Sequence, residues 1–475
     1  RSAVTWTLDG ARLADGPLLP PLPLEIGHEL ACIITPSDGV ATATRQVVTR
    51  HVESELRGNV LIVLLDDIGA YDLQLYDPTA TFVTPRLDAL AAEGLTFNRA
   101  WSTPFCAPTR AAAMTGRYPL RTGLGTNFRV DEPEASLPDA EVTWAEHVRA
   151  TVAAPYRFAA VGKWHLATWP DGGGARVLDQ GFDTYLGALG NLYDTQSIDG
   201  LPMDYFDWEK YDDAHVSRRQ GYVTIDEAED AIRLMREMPE PWVLWVATHA
   251  AHEPFAEPPL DALPWGPTTI AESGNRAKYA HMIEAVDAQI GNMVDAAPAD
   301  THIFVLADNG VPEVVADPSI PDNRMKGSVF EGGVRVPMIV RSPYVATPGA
   351  RTDALAHVVD LFPTIVELAG GSTAGLDIDG RSLVDVLNDP SSPGPHPVIY
   401  TERFEPNGFG PYTRYDRAIR DASYKVVRLQ DGVDRLYRLD GDLAEGVDLR
   451  TFALTPQEQA AYAALAGRLD RGDLR

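Results

Sequence analysis

Cysteine is nearly absent from this chain. Only Cys32 and Cys106 occur in 475 residues, which excludes a disulfide framework; if chemistry consumes Cys106, no internal disulfide remains, so cysteine usage does not fix the compartment. Long apolar runs are missing too, and none approaches the roughly 20 residues needed to span a bilayer. Basic residues are scarce: 40 Lys and Arg stand against 68 Asp and Glu, a net charge of −28. That balance argues against a nucleic-acid partner, which requires basic patches, and reads as a contribution to solubility. Low-complexity segments and internal repeats are lacking. The chain opens at Arg1 without methionine or a signal-peptide pattern, so it is read as a fragment or a processed product.

What is present is enough for a large core. At 45% hydrophobic residues, the chain is expected to form more than one domain. Residues 1–57 alternate in short stretches, Val4–Leu8, Leu30–Ile34 and Val40–Val48, broken by Asp9-Gly10 and Ser37-Asp38-Gly39. They predict a partial all-β, immunoglobulin-like segment, about half of a domain of ~100 residues, followed by a linker. From Asn59 the pattern becomes α/β. Apolar runs of strand length, Val60–Leu65, Phe158–Val161, Trp242–Ala247, Ile303–Ala307 and Pro337–Val340, alternate with helical patterns at Pro85–Glu93, Ile225–Met238, Ala277–Val294 and Ala354–Ala369. That order predicts a mostly parallel central sheet sandwiched by helices. Beyond about residue 395, short strands at Ala418–Arg420, Tyr424–Arg428 and Arg435–Leu439 and a helix at Pro456–Leu469 predict a small antiparallel subdomain. The expected domains are therefore 1–57, 58–395 and 396–475.

Cys106-Ala107-Pro108-Thr109-Arg110 opens a further helix. Pro108 suits the first helical turn, where its missing N–H costs nothing. A helix start attracts anions through its free N–H groups and dipole, and Arg110 adds a fixed positive charge beside the thiol. Cys106 so placed is a reactive group or the precursor of one.

Four polar clusters follow the apolar runs: Asp66-Asp67, Gly162-Lys163-Trp164-His165, Thr248–Phe255 with His249 and His252, and Asp308-Asn309-Gly310. Ligands of open α/β sheets bind beyond the carboxyl ends of the strands, so the four are expected on one edge. Adjacent carboxylates repel unless a cation neutralises them. Hard oxygen donors at Asp66, Asp67, Asp308 and Asn309 favour calcium or magnesium over zinc. His28, His51, His147, His215, His281, His302, His357 and His396 read as structural.

Taken in order, the Asp pair, Cys106-x-Pro108-x-Arg110, Lys163-x-His165, His252-x-Pro254, Asp308-Asn309-Gly310, and Lys326 before Glu331-Gly332-Gly333-Val334-Arg335-Val336-Pro337 resemble the type I sulfatases of the alkaline-phosphatase-like superfamily. Thr109 stands where that family usually has Ser, and Met114 where Leu is usual. The resemblance covers roughly residues 58–450. It implies that a maturation enzyme converts Cys106 to formylglycine, whose hydrated gem-diol attacks the sulfur of a sulfate ester beside a calcium or magnesium ion. It implies metal binding by Asp66, Asp67, Asp308, Asn309 and residue 106, with Asp308 also taking the nucleophile's proton. Lys163, His252 and Lys326 would bind the sulfate, His252 with Lys326 would protonate the leaving oxygen, and His165 would help expel sulfate as the aldehyde reforms. Arg110 would hold the nucleophile, and His249 would support His252 or contact substrate. Two other functions fit the same residues: a phosphodiester or phosphonate monoester hydrolase, and a surface-binding protein in which Cys106 stays a thiol. The aromatic insert Asn191–Asp213 is read either as a sugar pocket or as loop packing, and Arg403, Arg414 and Arg417 as a solvated face or an anion contact. Expected partners are a sulfated small molecule or glycan and the maturation enzyme. The expected location is periplasmic or extracellular.

Overall fold

The computed structural model describes residues 58–192, 197–267, 273–318 and 320–472, and within the first 57 residues the backbone of four strands. Those four, β1 (Ala3–Leu8), β2 (Ala11–Asp15), β3 (Glu29–Thr35) and β4 (Gln46–His51), form one antiparallel sheet in the order β2-β1-β3-β4. The segment's described residues are all strand, as the alternation predicts; residues 40–45 of the expected third strand lie outside the described residues. It is a compact unit distinct from residues 58–475.

The second unit is built on ten strands: β5 (Val60–Leu65), β6 (Leu95–Trp101), β7 (Arg157–Gly162), β8 (Thr184–Gly187), β9 (Asp207–Asp212), β10 (His215–Gln220), β11 (Trp242–Ala247), β12 (His302–Ala307), β13 (Met338–Arg341) and β14 (Ala350–His357). They lie in the order β10-β9-β8-β7-β11-β5-β12-β13-β6-β14. The middle four, β7, β11, β5 and β12, are parallel neighbours. Every residue of β5, β11 and β12 is buried, which is why these strands read as unbroken apolar runs rather than alternating ones: both faces are covered. The 22-residue helix Asn275–Ala296 covers one of them and anchors the shorter helix Pro85–Glu93 by its Asp287. The two oxygens of that carboxyl accept the free N–H groups of Arg86 at 3.0 Å and Leu87 at 2.8 Å, an N-terminal cap supplied from another helix. Burial pushes Asp287 up to about 7.

One expected element divides in two. Residues Ala354–Ala369 do not form a single helix: β14 runs to His357, a 3-10 turn covers Val358–Asp360, and the α-helix begins at Leu361. An apolar run fits a buried strand as well as a buried helix, and here pairing with β6 decides the first half. Asp360 ends the strand by accepting the His357 N–H at 2.8 Å.

The C-terminal sheet is a four-stranded antiparallel meander of β15 (Ile399–Glu405), β16 (Arg414–Arg420), β17 (Tyr424–Arg428) and β18 (Asp434–Arg438). β15 is additional to the strands expected there. The helix Pro456–Arg471 follows, opened by a capping box in which Thr455 and Glu458 satisfy each other's N–H groups.

Candidate active site

The four parallel central strands end on one edge, and each delivers a charged cluster there. β5 delivers Asp66 and Asp67, β7 delivers Lys163 and His165, β11 delivers His249 and His252, and β12 delivers Asp308 and Asn309. All are buried. Asp67 and His165 adopt left-handed backbone, φ 60° and 58°, a conformation uncommon outside glycine that tends to gather at functional sites. Gly310 is required by contact: a Cβ there would stand 1.9 Å from the Gly332 carbonyl oxygen, so the Asp-Asn-Gly turn and the Glu-Gly-Gly turn touch backbone to backbone.

The helix Cys106–Thr115 enters this edge with Cys106 as its first residue. Cys106 Sγ lies 3.5 Å from Asp66 Oδ1 and 4.0 Å from Asp67 Oδ1. Asp66 and Asp67 are both within reach of the reacting position, and Asp308 acts on the same thiol electrostatically. Arg110 reaches across, with Nη2 2.9 Å and Nε 3.2 Å from Asp308 Oδ2, Nη2 3.6 Å from Asp66 Oδ2, and Nη1 on the Lys163 carbonyl. Lys163 Nζ pairs with Asp66 Oδ2. Lys326 Nζ sits 2.6 and 2.7 Å from the two oxygens of Asp67, and His252 Nε2 is 3.7 Å from Asp67 Oδ2. Three carboxylates therefore face three fixed cations.

Burial of so many charges shifts their protonation. Asp67 is pushed up to about 7 by burial, with Asp66 and Asp308 adding to it and Lys326 opposing. For Asp66 burial acts in the same sense, but Lys163, His252, Arg110 and Lys326 outweigh it and hold the carboxyl well below the usual range. Burial and the neighbouring lysines lower His252 well below its ordinary value. Burial, with Asp308 and Asp66, pushes the Cys106 thiol up.

The residues fit a hard divalent cation. Ligand atoms of Asp66, Asp67, Cys106 and His252 all lie within 4.8 Å of one another. Asn309 donates its amide N–H groups to Asp67 Oδ1 at 2.7 Å and to the Gly310 carbonyl at 3.0 Å, while its buried Oδ1 has no hydrogen-bond partner. An orphaned buried amide oxygen beside two carboxylates is the donor set calcium or magnesium takes.

The remaining expected residues divide. His165 Nε2 donates to the Phe128 carbonyl at 3.1 Å, leaving a buried Nδ1 with no hydrogen-bond partner. His252 Nδ1 donates to the Glu253 carbonyl at 2.6 Å, which turns Nε2 toward the site. Both ring nitrogens of His249 are engaged: Nδ1 is 2.6 Å from Glu227 Oε1 and Nε2 is 3.1 Å from the Gly190 carbonyl. Tyr205 and Trp208 of the aromatic insert are fully buried and Tyr211 nearly so; Tyr193 lies outside the described residues. The Tyr205 hydroxyl bridges the carbonyls of His249 (2.5 Å) and His252 (2.7 Å), bracing the turn that carries both. Tyr205, Trp208 and Tyr211 thus pack, while Phe206 of the same insert is 40% exposed. Arg403 stacks on Phe105 at 4.7 Å and donates to the Gly327 carbonyl at 2.5 Å, Arg414 pairs with Asp416 at 2.6 Å, and Arg417 stacks on Tyr415 at 4.5 Å.

Sequence reasoning missed Glu227, Asn127 and the bracing role of Tyr205, which it read only as one of the insert's aromatics. Glu227 had a legible signal, a charge lying between Val223 and Ala231 on the buried face of the helix Val223–Glu237. Nothing local marks the other two.

Comparison with known proteins agrees with this geometry. The sulfatase family model matches residues 58–372, and the model for the C-terminal part of N-sulphoglucosamine sulphohydrolase matches residues 322–471. Human N-acetylgalactosamine-6-sulfatase is 31% identical over 361 residues, 69% of this chain and 65% of that protein. Bovine arylsulfatase A is 29% identical over 398 residues, 78% of this chain and 74% of that one. The chain thus spans just under two thirds of the length of the N-acetylgalactosamine-6-sulfatases it matches. Among solved structures, Ps i-CgsB in complex with k-i-k-neocarrahexaose shares the fold with a TM-score of 0.74 at 24% identity, covering 88% of this chain and 94% of that one.

Proposed function

The chain belongs to the sulfatase family, and on that premise we propose that it hydrolyses the sulfate monoester of a sulfated glycan, with residue 106 as formylglycine. The observation that carries this reading is the placement of Cys106 at a helix start, 3.5 Å from Asp66 and inside a ring of fixed cations, where the thiol is held protonated. A protonated thiol is a poor nucleophile; the position makes chemical sense as the precursor of another group. Formylglycine supplies an oxygen nucleophile, and a calcium or magnesium ion held by Asp66, Asp67, Asp308 and Asn309 supplies Lewis acidity.

The chain's own residues do the rest. A divalent ion held by these carboxylates would leave the pocket suited to a sulfate monoester. Lys163 and Lys326, now on Asp66 and Asp67, would place fixed positive charge against the sulfate oxygens and stabilise the transition state. Arg110 stays on Asp308 and fixes the helix that bears residue 106. His252 presents Nε2 to the leaving oxygen; arrival of an anion favours its protonation, and Lys326 stands beside it. His165 is placed to assist product release. Sulfated glycan is the proposed substrate class because a relative is named N-acetylgalactosamine-6-sulfatase. Export to the periplasm or beyond, and an immunoglobulin-like character for residues 1–57, belong to the same reading.

The test is release of inorganic sulfate from sulfated galactosamine and galactan oligosaccharides by protein coexpressed with the maturation enzyme. Cys106→Ala should lower the rate at least ~10³-fold. Faster cleavage of phosphonate or phosphate diesters than of any sulfate ester would overturn the sulfate assignment.

A further inference from the structure

The Cys106 side chain has a third neighbour besides the two carboxylates. Asn127 Nδ2 lies 3.9 Å from Sγ, and the same amide caps the helix, its Oδ1 accepting the Ala107 N–H at 3.0 Å. The two contacts fix the amide's orientation. A backbone N–H only donates, so the atom facing it must be Oδ1, and the atom left facing residue 106 must be the donor Nδ2. Asp66 and Asp67 are acceptors on the fully buried side; Asn127 is a donor and only half-buried, on the open side.

Asn127 is held by the C-terminal subdomain. It ends the turn Gly123–Asn127, which is clamped by the loop between β15 and β16. Asn407 Oδ1 accepts the N–H groups of Gly125 at 2.9 Å and Thr126 at 3.0 Å, and its Nδ2 donates to the Thr126 carbonyl at 3.2 Å. The Gly408 N–H bonds to the Gly123 carbonyl at 2.7 Å. Gly125 lies flat on the Phe404 ring, where a Cβ would come within 2.4 Å of ring carbons. A residue that caps the Cys106 helix is thus positioned from a separate sheet.

We infer that Asn127 is a further catalytic residue, donating a hydrogen bond to the reacting oxygen at position 106, and that Asn407 is its positioning residue. This rests on the sulfatase reading above. The N–H group donates without transferring its proton: it orients the nucleophile and stabilises negative charge there, as a preorganised donor does. It leaves substrate affinity nearly untouched.

The experiment separates the cap from the donor. Asn127→Asp keeps an oxygen for the Ala107 N–H but has no N–H to give; Asn127→Ala removes both. Each variant and Asn407→Ala is coexpressed with the maturation enzyme, its aldehyde content is read from the mass of the Cys106 peptide, and kcat and KM are measured on 4-nitrophenyl sulfate and on a sulfated galactosamine substrate. At equal aldehyde content, kcat should fall about 10- to 100-fold in both Asn127 variants and about 3- to 10-fold in Asn407→Ala, with KM in Asn127→Ala within about threefold of the parent. Asn127→Asp retaining at least half of the parent kcat would overturn the inference, because a capping role alone is preserved in that variant. Should the parent carry the aldehyde yet release no sulfate, the sulfatase reading fails separately, and the donor is judged by capture of the aldehyde with an aminooxy probe. A rate changed threefold or more in both Asn127 variants supports it, and an unchanged rate overturns it. A Cys106 that stays a thiol removes the premise and the inference together.

Discussion

Two clusters of buried charge among the described residues of 58–475 differ in whether they are closed. One lies under Trp101, between the Glu331 turn and the C-terminal sheet. There Glu331 accepts from Trp101 Nε1 at 3.0 Å and from Lys425 at 3.1 Å, Arg420 approaches it at 3.4 Å, Lys425 also reaches Glu445 at 3.0 Å, and Glu445 accepts the Glu331 N–H at 2.6 Å. Two acids meet two bases, and the lysine covers the indole ring at 4.5 Å. The other cluster, at the sheet edge, is balanced in charge as well, yet it retains an orphaned Asn309 oxygen, a nucleophile precursor and a lysine still 14% exposed. Perturbed carboxyls therefore do not separate a site from a staple: Glu445, like Asp67, is pushed up to about 7 by burial. An orphaned oxygen alone does not either, since Glu445 Oε1, 3.0 Å from Lys425 Nζ, also lacks a hydrogen bond; the nucleophile precursor and the partly exposed lysine at the sheet edge do.

Breaking each cluster in turn sharpens the contrast. The largest effect should come from Asp67→Asn, which removes a cation ligand: turnover falls at least ~10³-fold while the folded protein persists, checked by circular dichroism alongside sulfate release. Lys425→Met should do the opposite. It strands Glu331 and Glu445 in the interior and costs about 3–5 kcal/mol, read as a lowered urea midpoint, with kcat of the folded fraction within a few-fold of the parent. Titrating calcium into chelated protein should stabilise it by mass action, about 2.7 kcal/mol at 100 times the dissociation constant. Asp67→Asn should abolish that gain and Lys425→Met should leave it intact.

The smallest effect belongs to neither cluster and serves as a control. Burial lowers His302 and His357 to about 4, against an ordinary value near 6.5 in the unfolded chain. The unfolded state thus binds protons that the folded state refuses, so stability is full above about pH 6.5 and is lost as pH falls toward 4, by up to ~3 kcal/mol per histidine. Urea midpoints from pH 7.5 to 4.5 should show this slope, and His302→Gln should make it shallower.

The sheet was legible because its central strands are buried on both faces and read as apolar runs, and the site was legible because its charges follow those runs in sequence. Other features were hidden for physical reasons. The end of β14, residues 354–356, is an apolar run like the helix it precedes, so periodicity could not divide Ala354–Ala369. β15 carries the consecutive polar residues Thr401, Glu402 and Arg403, the first two buried by packing against distant turns. Asn127 and Tyr205 act through backbone atoms about 20 and 47 residues away, and no local pattern reports such a partner. Glu227 alone left a trace, a charge on a buried helix face.

The most direct test is the mass of the peptide containing Cys106, from protein coexpressed with the maturation enzyme. A loss of about 18 Da, thiol to aldehyde, is the predicted result and makes residue 106 the nucleophile of a sulfatase. An unmodified thiol under those conditions would contradict the account and leave a buried site that binds an anion without turning it over.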